Sequence, residues 1–152
     1  MSSHIIGHVD NVTGTVSASR ADGARVALAE GDAVFEGDEV HTGADSAVAI
    51  VFIDDTTFSL GANASMALDE LIFDPDSQSG SSAFSILEGA FVFVSGKIAE
   101  DNPDNMTVGT PVATIGVRGT EVGGKCDESC VIAVIDGKIV ISNAGGQVVL
   151  TL

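Results

Sequence analysis

The sequence predicts an all-β fold: short antiparallel strands in a β-sandwich or a β-roll or solenoid-like arrangement, with little or no helix. Three observations point there. The apolar set is dominated by Val, Ile, Ala and Phe, with no Trp and no Tyr, and β-branched and aromatic residues fit a pleated surface. The 18 glycines are spread along the chain and punctuate it. Turn signals recur about every 8–12 residues, the spacing of sandwiches, barrels and rolls.

The elements follow in order. Ile5 to Val9 opens the series, and Gly14 to Arg20 alternates small and polar residues. Ala21-Asp22-Gly23-Ala24 is a hairpin signal, after which Arg25 to Leu28 returns. Gly31-Asp32 and Gly37-Asp38 place turns on either side of a short apolar arm. Ser46 to Ile53 is nearly continuously apolar and reads as a central strand covered on both faces. Asp54-Asp55-Thr56 and Gly61-Ala62-Asn63-Ala64 read as turns flanking Thr57 to Leu60, whose period of two puts Phe58 and Leu60 on one side. Ser65 to Phe73 alternates again, and Asp74 to Ser82 reads as a surface loop. Ala83 to Leu87 and Ala90 to Val94 form arms around a turn at Glu88-Gly89. Lys97 to Asp101 has room for one helical turn, and Asp101 to Asn105 reads as an acidic loop. Met106 to Val122 is strand-like, and a last hairpin pairs Cys130 to Ile135 with Lys138 to Ser142 across Asp136-Gly137.

The chain of 152 residues fits a single domain over residues 1–152 and can bury a real core. Six Lys+Arg against 22 Asp+Glu give 6 − 22 = −16. Phosphate binding needs a basic stripe, so nucleic acid is excluded as a partner, and an anionic membrane surface is excluded for the same reason. The charge reads as solubility rather than as a specific metal site. The opening Met1 to His8 has neither a basic region nor a long apolar one, so it is not a classical signal peptide. No apolar run approaches the roughly 18 residues of a membrane span. The strand-like stop at Val148 to Leu152 reads as a chain that continues.

Candidate chemistry is thin. Cys126 and Cys130 read as a disulfide closing a short loop, since two sulfurs alone fall short of the four ligands of structural zinc. His4 and His8 share a strand face about 13 Å apart, too far for one metal, and read as an exposed edge strand. His41 lies elsewhere in the sequence. Asp74 and Asp76 flank Pro75 as a possible calcium pair, but the spaced ligands of an EF-hand loop are missing. No nucleophile–base constellation and no phosphate loop is present, so no catalytic residue, cofactor or metal is expected. Arg118, alone in the uncharged stretch Thr110 to Thr120, is expected to pair with a carboxylate: Asp69, Glu70, Glu88 or Glu121.

Read together, Leu28-Ala29-Glu30-Gly31-Asp32, Gly37 to Gly43, Ser46 to Asp54 with Phe58-Ser59-Leu60-Gly61, and Thr110 to Thr120 resemble the FecR domain, over roughly residues 10–142. The resemblance implies an all-β fold of short strands without a cofactor. The family occurs in two settings: the periplasmic part of membrane-bound sigma-factor regulators, and the N-terminal region of long secreted surface proteins. The opening segment is similar to the second. The expected function is therefore a non-catalytic structural, retention or assembly module of an exported, adhesin-like surface protein of a Gram-negative bacterium. The alternative is a periplasmic signalling or binding module. Protein partners are expected in either case, with self-association or filament formation through edge strands. Members of the family are also known to self-cleave at a Gly-Thr pair, which Gly119-Thr120 matches in place. Here Glu121-Val122-Gly123 follows where the family usually has an aromatic-containing strand, and we expect an intact chain.

Overall fold

A computed structural model describes residues 5–20, 23–74, 76–77, 79–96, 98, 106–110, 114–126, 130–143 and 146–151. Among them thirteen strands form one continuous sheet. They are β1 (Ile5–Thr13), β2 (Val16–Ser19), β3 (Arg25–Ala27), β4 (Ala33–Phe35), β5 (Glu39–Thr42), β6 (Ala47–Phe52) and β7 (Thr57–Leu60), then β8 (Ser65–Asp74), β9 (Ser79–Val94), β10 (Met106–Gly109), β11 (Thr114–Cys126), β12 (Cys130–Asn143) and β13 (Gly146–Thr151). The all-β expectation holds.

The sheet has a spine, the 16-residue β9. Its first half pairs with β8 and, in parallel, with β10. Its second half pairs with β7 and β11. One branch runs on through β7, β6, β1 and β4, and a second through β8, β5, β2 and β3. Both branches curl over one core. The ring of Phe84, from the first half of β9, lies tilted at 4.8 Å from Phe52 of β6 and 5.1 Å from Phe58 of β7, centroid to centroid. Phe58 in turn lies 5.0 Å from Phe93, in the second half of β9. The aromatic cluster thus ties the two walls together, each pair adding about 0.5–1.5 kcal/mol beyond its buried area.

Four sequence expectations change. Glu88-Gly89 is not a hairpin turn but a bulge inside β9. The buried positions are Phe84 and Ile86 before it and Phe91 and Phe93 after it, so the alternation slips by one residue there. Gly89 takes up the slip at φ +96, in the left-handed region. Second, most of Asp74 to Ser82 is strand: Asp74 pairs with Ser79 and Phe73 with Gly80, and Ser82 is buried. Third, Asp136-Gly137 lies within β12 rather than at a turn, because β12 pairs with β11 along both of its halves. The ladder overrides the turn propensity, and two register shifts absorb the mismatch. Fourth, β1 is no edge strand: it lies between β4 and β6. His8 is exposed on it, and His4 lies outside the described residues. Of the possible helical turn at Lys97 to Asp101, only Ile98 is described.

Candidate interaction surface

Most polar residues that stand out in the sequence fasten the fold. The tetrapeptides Ala29-Glu30-Gly31-Asp32 and Phe35-Glu36-Gly37-Asp38 build the same turn twice. In each, the Asp amide donates to the carbonyl three residues back, at 3.0 Å. In each, the Asp carboxylate accepts the amide of that same residue, at 2.8 Å for Ala29 and 2.9 Å for Phe35. Both glycines sit at positive φ, +89 and +88, which the third position of a type II turn requires. Each turn then docks on a neighbouring strand. The first exchanges two backbone bonds with Val9 of β1, and the second exchanges two with Leu68 of β8. The short apolar arm β4 between them spans the gap between the walls.

The second turn is the more deeply set. Asp38 is 1% exposed and its Oδ2 is 2.5 Å from Nη1 of Arg20, whose guanidinium lies 4.6 Å from the Phe35 ring centroid. Thr42 fastens the β7–β8 turn: its hydroxyl donates to the Gly61 carbonyl at 2.6 Å and accepts the Ala64 amide at 2.8 Å. Asp54, fully buried, closes the β6–β7 turn by accepting the Thr56 amide and hydroxyl at 3.1 and 2.8 Å. The Thr56 hydroxyl accepts the Gly96 amide at 3.1 Å, which latches the chain leaving β9.

The sequence-predicted site residues are not brought together. Cys126, fully buried, stands opposite Cys130 in the β11–β12 ladder and is not a free thiol. The Cys130 side chain lies outside the described residues. Arg118 stands opposite Lys138, and its own side chain also lies outside them. Gly119 and Thr120 occupy a register shift of β11, between the Arg118–Lys138 and Glu121–Asp136 pairs. Asp76 is exposed, Pro75 and the Asp74 side chain lie outside the described residues, and no three potential metal ligands converge among the described residues. One grouping escapes sequence reasoning: His41 Nδ1 is 3.0 Å from Ser65 Oγ and its Nε2 is 3.3 Å from Glu39 Oε1. Glu39 and His41 are neighbours by strand alternation, and Ser65 is the register partner of His41. The trio lies across two strands at the surface rather than in a cleft, and we read it as a cross-strand polar pairing.

The feature with no structural task is the outer face of β6, β7 and the second half of β9. Register aligns Ala49, Ser59, Val92 and Gly123 in one row, and Val51, Thr57, Val94 and Glu121 in the next. Of the exposed large apolar side chains, Ile53, Val92 and Val94 lie on this face at 41, 39 and 42% exposure. Glycines and alanines between them leave two shallow grooves, one over Ser59, Gly61, Ala90, Val92 and Gly124, the other over Asn11, Thr13, Ala47, Ala49 and Ser59. The apolar run of β6 predicts cover on both faces, yet among the described residues only the inner face is covered; Ala47, Ala49 and Val51 remain half-buried. No helix of the described residues is long and apolar enough to cross a membrane.

No curated protein matches the chain. The crystal structure of a "putative anti-sigma factor" from Parabacteroides distasonis shares its fold, with a TM-score of 0.59 and 17% sequence identity, over 74% of this chain and 50% of that one. The chain thus spans half the length of that protein. The FecR protein family matches residues 38–140, from the second Glu-Gly-Asp turn to the far half of β12. The chain belongs to the FecR protein family.

Proposed function

We propose that the chain is a non-catalytic protein-recognition module of a bacterial signalling system, working with a sigma-factor regulator in the periplasm. The observation that carries this reading is the family match across residues 38–140; the fold shared with an anti-sigma factor supports it. Both favour a regulator over the retention or assembly module of a surface protein that the opening segment suggests. The geometry is compatible with recognition. Its conspicuous polar residues hold turns, and it exposes apolar side chains on one sheet face.

Three finer assignments belong to the same proposal. Cys126 and Cys130 form a disulfide across the ladder, as suits an oxidising compartment. Arg118 pairs with a carboxylate, so Arg118→Met lowers the melting temperature; an unchanged melting temperature removes that role. The Gly119–Thr120 bond stays intact, and intact mass shows one full-length species; two fragments ending and starting at that pair contradict it.

Deleting the coding sequence in its host and reading the transcripts tests the main reading. A regulator changes a restricted set of genes under one alternative sigma factor. An unchanged transcript profile contradicts the proposal.

A further inference from the structure

We propose that the outer face of β6, β7 and β9 receives the apolar side of a cationic amphipathic segment of a partner protein. The inference rests on the recognition reading above and assigns its surface and the chemistry of its partner.

The first observation is composition. Eighteen per cent of the chain is charged and 22 residues are acidic. Yet the outward residues of β6, β7 and the adjoining end of β9 carry no charge: Ala47, Ala49 and Val51, then Thr57 and Ser59, then Ala90, Val92 and Val94. Solvent-facing sheet surfaces alternate polar residues outward. Here the outward residues of β6 and of the β9 end are apolar, with the small hydroxyls of Thr57 and Ser59 between them, and an apolar outer side is the pattern of a strand that something covers.

The second observation is the rim. Asp45 is exposed in the turn that leads into β6 and Asp10 on the neighbouring β1, whereas Asp55 and Glu121 at the other end of the face already hold contacts within the chain. Lys125, opposite Ala90, and His8, opposite Val51, are the basic side chains on this border among the described residues. An apolar centre bordered by the Asp45 and Asp10 carboxylates, on a chain of net charge −16, is complementary to an apolar stripe flanked by Lys or Arg. The same charge argues against a second copy of this chain, since two acidic rims on chains of −16 would be brought together. The small residues of the face let a partner backbone approach closely along the grooves.

A dye-labelled amphipathic peptide, Leu on one helical face and Lys on the other, is the probe, with a Leu/Glu peptide as its counterpart. The full chain binds the Leu/Lys peptide, more weakly at high salt, and does not bind the Leu/Glu peptide. The Val92→Asp/Val94→Asp variant loses about tenfold or more in affinity. An Ile72→Asp/Leu87→Asp variant, with the same added charge on exposed apolar positions of β8 and the first half of β9, keeps wild-type affinity. Melting curves are read first, and Val92→Ser/Val94→Ser replaces the aspartate pair if that pair unfolds the protein. Absence of binding, or equal binding by both variants, overturns the proposal. So does a wild-type dimer in sedimentation that the Val92/Val94 changes dissolve, because the face then belongs to a second copy. Failure here alongside a transcriptional effect of deletion removes this surface and leaves the regulator reading standing.

Discussion

Arg20 and Asp38 meet at 2.5 Å, Nη1 to Oδ2, with Asp38 almost wholly withdrawn from solvent. Asp38 also accepts the Phe35 amide, and the Phe35 ring lies under the guanidinium. One carboxylate therefore fixes a turn and anchors the end of β2 against it. Removing one partner of a buried pair costs more than the pair itself contributes, because the other charge is left desolvated. Arg20→Met is expected to destabilise by about 3 kcal/mol or more, read as a lower denaturant midpoint. Asp38→Asn keeps the shape but weakens the pairing with Arg20, and should cost less than Asp38→Ala.

Gly89 is the second pressure point. A Cβ built there would lie 2.4 Å from the Ala64 Cβ, and φ is +96. Gly89→Ala combines backbone strain with a clash against β8's leading turn, and should cost about 2–3 kcal/mol. Gly23, also at positive φ, has open space around its position. Gly23→Ala therefore costs strain alone, and a melting curve should rank it well above Gly89→Ala in stability.

Ser82 points the other way. Its Oγ is buried and has no hydrogen-bond partner among the described residues. An unsatisfied buried hydroxyl is destabilising. Ser82→Ala should leave stability unchanged or raise it by about 1 kcal/mol; a marked fall in the melting temperature would show that the hydroxyl is satisfied.

The proposed Cys126–Cys130 bond closes a short loop, so its entropic contribution is small, about 2 kcal/mol. Thiol titration of native protein should find no reactive thiol before reduction and two after it. Reduction should lower the melting temperature while leaving the fold intact, as the core residues Phe52, Phe58, Phe84 and Phe93 do not depend on it.

The fold class is legible because apolar alternation is local. Phe58 and Leu60 face inward as their spacing predicts, and the two Gly-Asp pairs do mark turns. What is not legible is pairing at a distance. Asp136-Gly137 and Glu88-Gly89 carry strong turn chemistry, yet each lies inside a long strand, because a partner strand supplies ladder bonds on both sides of it. The Arg20–Asp38 pair joins residues 18 apart whose contact depends on where β2 crosses the second turn. The outer face was written in the sequence as the unbroken apolar run Ala47 to Ile53. That run predicts cover on both sides but is silent on whether the same chain supplies it.

The central claim is that the Val92/Val94 face serves recognition, and the host cell tests it most directly. The Val92→Asp/Val94→Asp variant, expressed from its own locus and shown to melt like the wild type, should reproduce the transcript changes of the deletion. A folded variant with wild-type transcription would contradict the account.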